Sequence, residues 1–186
     1  MPPKVKITKA DILEAAINLV RREGAQALNA RTIASSLNCS TQPLFSNFAT
    51  MEELRMACIE KADELCSSYM QREMESGQYP KYKASGMAYI RFAREEKELF
   101  KLLYMRDRVE ETIPAESDVG RQMESMVRKN TGLDEQAARL FHLEMWACVH
   151  GIAVMFATGF LDLDWELVSR MLTDTYQGLR KQYEME

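Results

Sequence analysis

Few side chains in this sequence could carry covalent or acid–base chemistry. The two histidines, His142 and His150, lie eight residues apart in an apolar stretch with no motif around either. On a helix that spacing turns the two rings in somewhat different directions, so they do not form a ligand or base pair by themselves. The four cysteines, Cys39, Cys58, Cys66 and Cys148, make no C-x-x-C pair and no ligand-like group with the histidines. They are expected to be reduced, partly buried thiols of a cytosolic protein. The eight glycines are scattered, so no glycine-rich phosphate loop occurs. The expectation is a protein without catalysis, without a metal site and without a cofactor.

The chemistry the sequence does favour is hydrogen-bond readout from a small polar surface, in the stretch from Asn29 to Leu54 (NARTIASSLNCSTQPLFSNFATMEEL). Asn29 can cap a short helix in which Ile33, Ala34 and Leu37 share a buried face. Asn38-Cys39-Ser40 forms the turn, because Asn tolerates a left-handed backbone better than most residues. Cys39 would fill a small apolar hole there. Ser40 can cap a second helix, and Pro43 suits its first turn, where a missing N–H costs nothing. Leu44 and Phe48 anchor that helix inward, and Thr50 with Glu53 has the capping-box spacing that opens a third. Two short helices joined this way make a helix-turn-helix, whose second helix can enter a DNA major groove. The polar outward positions of that helix are Thr41, Gln42, Ser46 and Asn47.

The segment IASSLNCSTQPLFSNFATMEEL resembles the recognition segment of the TetR family of bacterial transcriptional regulators. The resemblance implies an N-terminal operator-binding unit joined to a helical dimerising and ligand-sensing domain. It also carries specific departures. The family usually has Gly where Asn38 stands, Tyr at Phe45, His at Asn47 and Lys at Met51. The last three positions commonly serve phosphate contacts in the family. The expected DNA-contacting set is Asn29, Arg31, Thr41, Gln42, Pro43, Phe45, Ser46, Asn47 and Thr50. A later Trp146…His150-Gly151 spacing resembles a pattern in the sensing domains of one branch of such regulators.

The elements that must position these residues are helical. Among 186 residues, 46% hydrophobic and 28% charged, only 8 Gly and 5 Pro stand against 13 Met. No segment alternates with period two, so no sheet is expected. The net charge is −4, unevenly spread: residues 1–50 hold six cations and three carboxylates, net +3, leaving −7 for the remainder. A basic arm over residues 1–7 precedes a helix from Thr8 to about Glu23, ended by Gly24. This helix completes a three-helix unit, and Lys4, Lys6 and Lys9 could meet phosphates. A long helix then runs from Met51 to about Ser76, a plausible lever between the recognition unit and the later helices. Further helices are predicted over Lys81–Arg94, Glu98–Met105 and Ala115–Asn130, with RDRVEETIP as a loop before the last of these. The domain division is expected at 1–53 and 54–186.

The last two helices suggest assembly. The segment Asp134–Thr158 is apolar around most of its circumference, so it must be buried on more than one side. Ala147, Gly151 and Ala153 would let another helix approach. The final helix, capped by Asp164, carries Trp165, Val168, Leu172, Tyr176 and Leu179 in one stripe. Two such helices from each of two subunits would make a four-helix bundle. The apolar run Met145–Phe160 is too short to span a membrane, and MPPKVKIT lacks the apolar core of a signal peptide. A cytoplasmic homodimer without membrane contact is expected.

Adaptable apolar side chains supply a candidate ligand set: Met87, Phe100, Tyr104, Met123, Met126, Phe141, Met145 and Trp146, with Tyr104, His142 and His150 to orient the ligand. The reading is an all-α, sequence-specific, DNA-binding homodimer on a near-palindromic site, acting as a repressor released by a small, largely apolar effector. Phe45, Asn47 and Met51 leave a second reading open, a helical ligand-binding or protein-interaction module whose DNA-binding role is lost or altered.

Overall fold

The computed structural model describes residues 7–106 and 118–183. Lys4, Lys6, the expected loop through Pro114 and the expected helix start at Ala115 lie outside the described residues. Every regular element among the described residues is helical: α1 Lys9–Glu23, α2 Ala30–Ser36, α3 Gln42–Asn47, α4 Met51–Ser76, α5 Lys81–Glu95, α6 Lys97–Tyr104, α7 Asp118–Thr131, α8 Glu135–Thr158 and α9 Trp165–Gln182. A single 3-10 turn, Ala25–Ala27, links α1 to α2. The all-α expectation is met.

The chain divides into two compact units. One comprises residues 1–66 with 96–106, and the other residues 67–95 with 107–186.

In the first unit α1 packs on α2, α3 and α6. Its core is Ile12, Ala16, Leu19 and Val20 of α1 with Ile33, Leu44, Phe48, Leu54, Leu99, Phe100 and Leu102, all buried. Helix α1 begins with a complete capping box: the Thr8 side chain accepts from the Asp11 amide, and the Asp11 carboxylate accepts from the Thr8 amide. It stops at Gly24, whose φ of 82° lies where a side chain would be strained. Chain order alone groups α6 with the later helices. It belongs instead with α1, where Arg21 donates from Nε and Nη2 to the two carboxylate oxygens of Glu96, 2.9 Å each. A contact across 75 residues leaves no trace in local sequence.

In the second unit α8 is central, packing on α5, α7 and α9, while α5 also meets α7 and α9. Val127, Ala138, Phe141 and Met145 form a buried cluster, with Tyr82, Leu133, Tyr176, Leu179 and Tyr183 packed around it. The place where helices approach closely is Gly86 on α5. A Cβ there would sit 3.2 Å from Val149 Cγ2 and 3.4 Å from Leu172 Cδ1. This revises the small-residue reading of α8, because Ala153 is buried in its own unit while Ala147 and Gly151 are exposed. It also revises the α9 stripe, since Val168 and Leu172 face their own core.

Among the described residues one helix, α8, is long and apolar enough to cross a membrane by length and composition. The run Met145–Phe160 covers only its second half, so the shortness of that run does not apply to the whole helix. One flank of α8 is buried within the unit, and Glu135, Arg139 and Glu144 are exposed on it. Those are the features of a core helix that shows one face outward.

Candidate nucleic-acid interface and sensing core

The turn between α2 and α3 is built as the sequence foretells. Asn29 Oδ1 accepts from the amides of Arg31 and Thr32 at 3.1 and 3.0 Å, capping α2. Asn38 takes a left-handed φ of 51°. Its amide donates to Ser35 O at 3.1 Å, and the Cys39 amide donates to Ala34 O at 3.0 Å. That double closure ends a helix with its last carbonyls satisfied. Cys39 is half-buried rather than sealed in the core.

Helix α3 departs from expectation at its start. The capping position is Thr41, not Ser40, and no side chain makes the capping bond. Thr41 has helical dihedrals (φ −73°, ψ −11°), whereas a capping hydroxyl is normally presented from extended backbone. Pro43 in the first turn removes one of the amides that would need a partner. The helix is therefore held by its buried side, Leu44 and Phe48.

Its outward side presents Gln42, Phe45 and Ser46, all exposed, with Phe45 51% exposed. Thr41, Pro43 and Asn47 are half-buried. Ser46 Oγ donates back to Gln42 O at 3.0 Å, and Asn47 Nδ2 donates to Pro43 O at 2.8 Å. Two of the polar side chains expected to face outward thus serve their own helix.

Around this helix the other expected contacts fall in place as structural groups. Thr50 Oγ1 accepts from the Glu53 amide at 3.1 Å, and Glu53 Oε2 accepts from the Ala49 amide at 2.7 Å. Those bonds hold the Glu53 carboxyl below the usual range, first through the Ala49 amide and then through Lys9. Lys9 Nζ donates to Glu53 Oε1 at 3.3 Å and lies 4.6 Å from the centre of the Phe48 ring. Lys9 thus belongs to α1 and staples it to the start of α4. Arg31 is exposed on α2, and Met51 is half-buried.

The candidate ligand residues separate between the two units. Phe100 and Tyr104 belong to the first, 5.0 Å apart between ring centres, with Tyr104 Oη 3.7 Å from Cys66 Sγ. Met87, Met123, Phe141 and Met145 are buried in the second unit, and Met126 is half-buried. Trp146 lies on the outer side of α8, 40% exposed, stacked on His150 at 4.8 Å and 16°.

Both histidines have tyrosine partners outside the candidate set. Tyr82 Oη lies 2.9 Å from His142 Nδ1, and Tyr89 Oη lies 2.9 Å from His150 Nδ1. Tyr82 and Tyr89 are seven apart on α5, His142 and His150 eight apart on α8. Two turns on each helix match, and that shared spacing was the available signal. Burial pushes both histidines below their ordinary pKa and the Tyr82 phenol above its own. With the imidazole proton on Nε2 each phenol donates to Nδ1, and with it on Nδ1 the imidazole donates to the phenol oxygen. Burial also raises the Cys58 and Cys66 thiols to about 12, so neither is a nucleophile at neutral pH. Among the described residues no three His, Cys, Asp or Glu side chains converge as a metal site would require.

A trihelical unit with a capped, tightly turned helix pair, ahead of a helical bundle, defines a class of helix-turn-helix regulator. The Tetracyclin repressor-like C-terminal domain family matches over residues 82–175. The chain belongs to the TetR-like transcriptional regulators. Solved structures agree on the fold over 88% to 98% of the chain. A TetR-like transcriptional regulator from Rhodococcus sp. RHA1 aligns with a TM-score of 0.70 at 14% identity, covering 98% of each chain. A protein of unknown function from the same organism aligns at 0.64 with 22% identity over 92% of each. The multidrug binding protein EbrR, complexed with imidazole, aligns at 0.55 with 20% identity, over 88% of this chain and 87% of that one. None of the curated proteins matches the sequence.

Proposed function

We propose that the protein is a cytoplasmic homodimeric repressor that binds a near-palindromic operator through α3 and is released by a small, largely apolar effector. The observation that carries this reading is the exposed face of Gln42, Phe45 and Ser46 on a helix anchored from beneath by Leu44 and Phe48. Gln42 is the base reader, its amide pairing with both groups of an adenine edge. Arg31 meets the phosphate backbone, and Asn29, Thr41, Pro43, Asn47 and Thr50 shape and flank the docking surface. The functional division runs between 1–53 and 54–186.

Support for the dimer comes from α8, which exposes Leu140 and Leu143 (49% and 54%) with Ala147 and Gly151 along one stripe. Leu167 on α9 is exposed as well. An apolar stripe of this kind is ordinarily covered by a partner. A two-fold pairing should bury roughly 1,200–2,000 Å² and set the two α3 helices one helical turn apart, about 34–36 Å, or a multiple of that. The effector reading rests on the methionines and on Phe141, Trp146 and the two histidines of the second unit, adaptable apolar groups beside a few polar ones. EbrR is described as a multidrug binding protein, which fits a regulator of this class that takes such compounds.

A second reading, a protein-interaction or ligand-binding module, is favoured by the absence of any Lys or Arg between Arg31 and Arg55. Titrating the full chain with the DNA upstream of its own coding sequence separates the two. Binding at low salt that exceeds a scrambled duplex supports the repressor. No binding above background at any salt overturns it. A steep salt dependence would contradict the few-cation contact set.

A further inference from the structure

Resting on the DNA-binding reading above, we infer that Phe45 is a second specificity-determining residue, reading the C5 methyl group of a thymine beside the base pair that Gln42 reads. Helix α3 has few outward groups left to read bases. Ser46 Oγ is turned to Gln42 O and Asn47 Nδ2 to Pro43 O, so neither donor is directed outward. The helix itself carries no charged side chain. What stands out from it is the Gln42 amide and the ring of Phe45, half in solvent on a helix whose other two apolar residues, Pro43 and Leu44, are turned inward to differing degrees.

A phenyl ring half in solvent gains free energy when an apolar surface covers it. The major groove offers one such surface on base edges, the thymine methyl. Residues 1–50 carry net +3 in a chain of net −4, a balance that complements a polyanion. Gln42 and Phe45 are three residues apart on one face, about 4.5 Å along the axis at 1.5 Å per residue. Base pairs rise about 3.4 Å each, so the methyl belongs to the pair next to the Gln42 adenine or the one after it. A phenol at this position could instead hydrogen-bond, but phenylalanine has no such group to offer.

The test uses the full chain and begins with selection of bound sequences from a random duplex library. Each thymine of the winning site is then replaced in turn by deoxyuridine, which removes the methyl and keeps every hydrogen-bonding group. One position per half-site, within two base pairs of an invariant adenine, should weaken binding about fourfold, and about fifteenfold when both half-sites change, as expected for one buried carbon each. Phe45→Ala should abolish that deoxyuridine effect while leaving the adenine preference, which Gln42→Ala should remove. Circular dichroism of both variants should match the parent, because both side chains are exposed. Retained affinity on every deoxyuridine duplex would overturn the inference. So would an unchanged deoxyuridine penalty in Phe45→Ala, or a uniform loss across all sequences, which would put the ring on the sugar-phosphate backbone. If selection enriched no sequence at all, the DNA-binding reading would fall, and this inference with it.

Discussion

Helices α3 and α8 both show a face to solvent, and they are made in opposite ways. Helix α3 has six residues, far too few to be stable alone, so its direction depends on what holds it from below. Its cap is missing, and its anchors are two side chains, Leu44 and Phe48. Helix α8 has 24 residues, is capped by Asp134 at one end and closed by a left-handed Gly159 at the other, and would hold its direction through burial along its whole length. The outward face of α3 is a few polar atoms and one ring. That of α8 is a run of leucine, alanine and glycine. A short helix aimed by few contacts suits reading an edge pattern, whereas a long buttressed one suits carrying a broad apolar contact.

The largest effect should come from removing buttress rather than face. Phe141→Ala opens the buried cluster of the second unit and should cost about 3–5 kcal/mol in denaturant unfolding. A loss under about 1 kcal/mol would mean the cluster repacks freely, and α8 is not the rigid member of the pair. Next comes Leu143→Asp on the exposed α8 stripe. Analytical ultracentrifugation should show the proposed dimer weakened at least a hundredfold, about 2.7 kcal/mol, with monomer helicity intact. An unaltered sedimentation profile would remove the apolar face from the interface. A charge at the buried Leu172, by contrast, should unfold the second unit and says nothing about assembly.

Asn29→Ala is smaller. It strips the cap from α2 and should cost about 1 kcal/mol, with the proposed DNA binding weakened for every sequence alike because the turn that leads from α2 into α3 loses its fixed start. A change in preferred sequence instead would make Asn29 a reader.

The smallest effect is the pH response of the histidine pairs. Both imidazoles have pKa values lowered by burial, so the folded protein binds their protons less readily than the unfolded chain does. Their contribution is complete above the unfolded value of about 6.5 and is lost as pH falls below it. The thermal midpoint should therefore drop on acidification from about pH 7 to about pH 5, and less so in a His142→Gln, His150→Gln double variant. Equal drops in parent and variant would leave the acid sensitivity to carboxylates.

The contrast between the two faces also marks how far the sequence could be read. Caps and turns were legible because they are local: the helix start at Thr8, Asn29, the left-handed Asn38, Thr50 with Glu53 and Asp164 each act within about one helical turn. The helix pattern and its lengths came from apolar spacing, and the resemblance in residues 33–54 pointed to the family. The failures were of two kinds. Thr41 displaced Ser40 at the start of α3, and with helical dihedrals it makes no side-chain capping bond. Ser46 and Asn47 looked outward by position, yet each found a carbonyl four residues back, a competition that residue type permits and spacing does not decide.

By itself the sequence determined the helices and, the start of α3 apart, most of their ends to within a few residues, since these depend on dihedral preferences and on partners one turn away. Only the tertiary structure decided that α6 joins α1 through Arg21 and Glu96, that Gly86 is where α5 admits Val149 and Leu172, and that Tyr82 and Tyr89 serve the two histidines. Those pairings join residues far apart in the chain, 60 for Tyr82 with His142 and 75 for Arg21 with Glu96. Their free energy comes from burial and hydrogen bonds that exist only after the loops between them have closed.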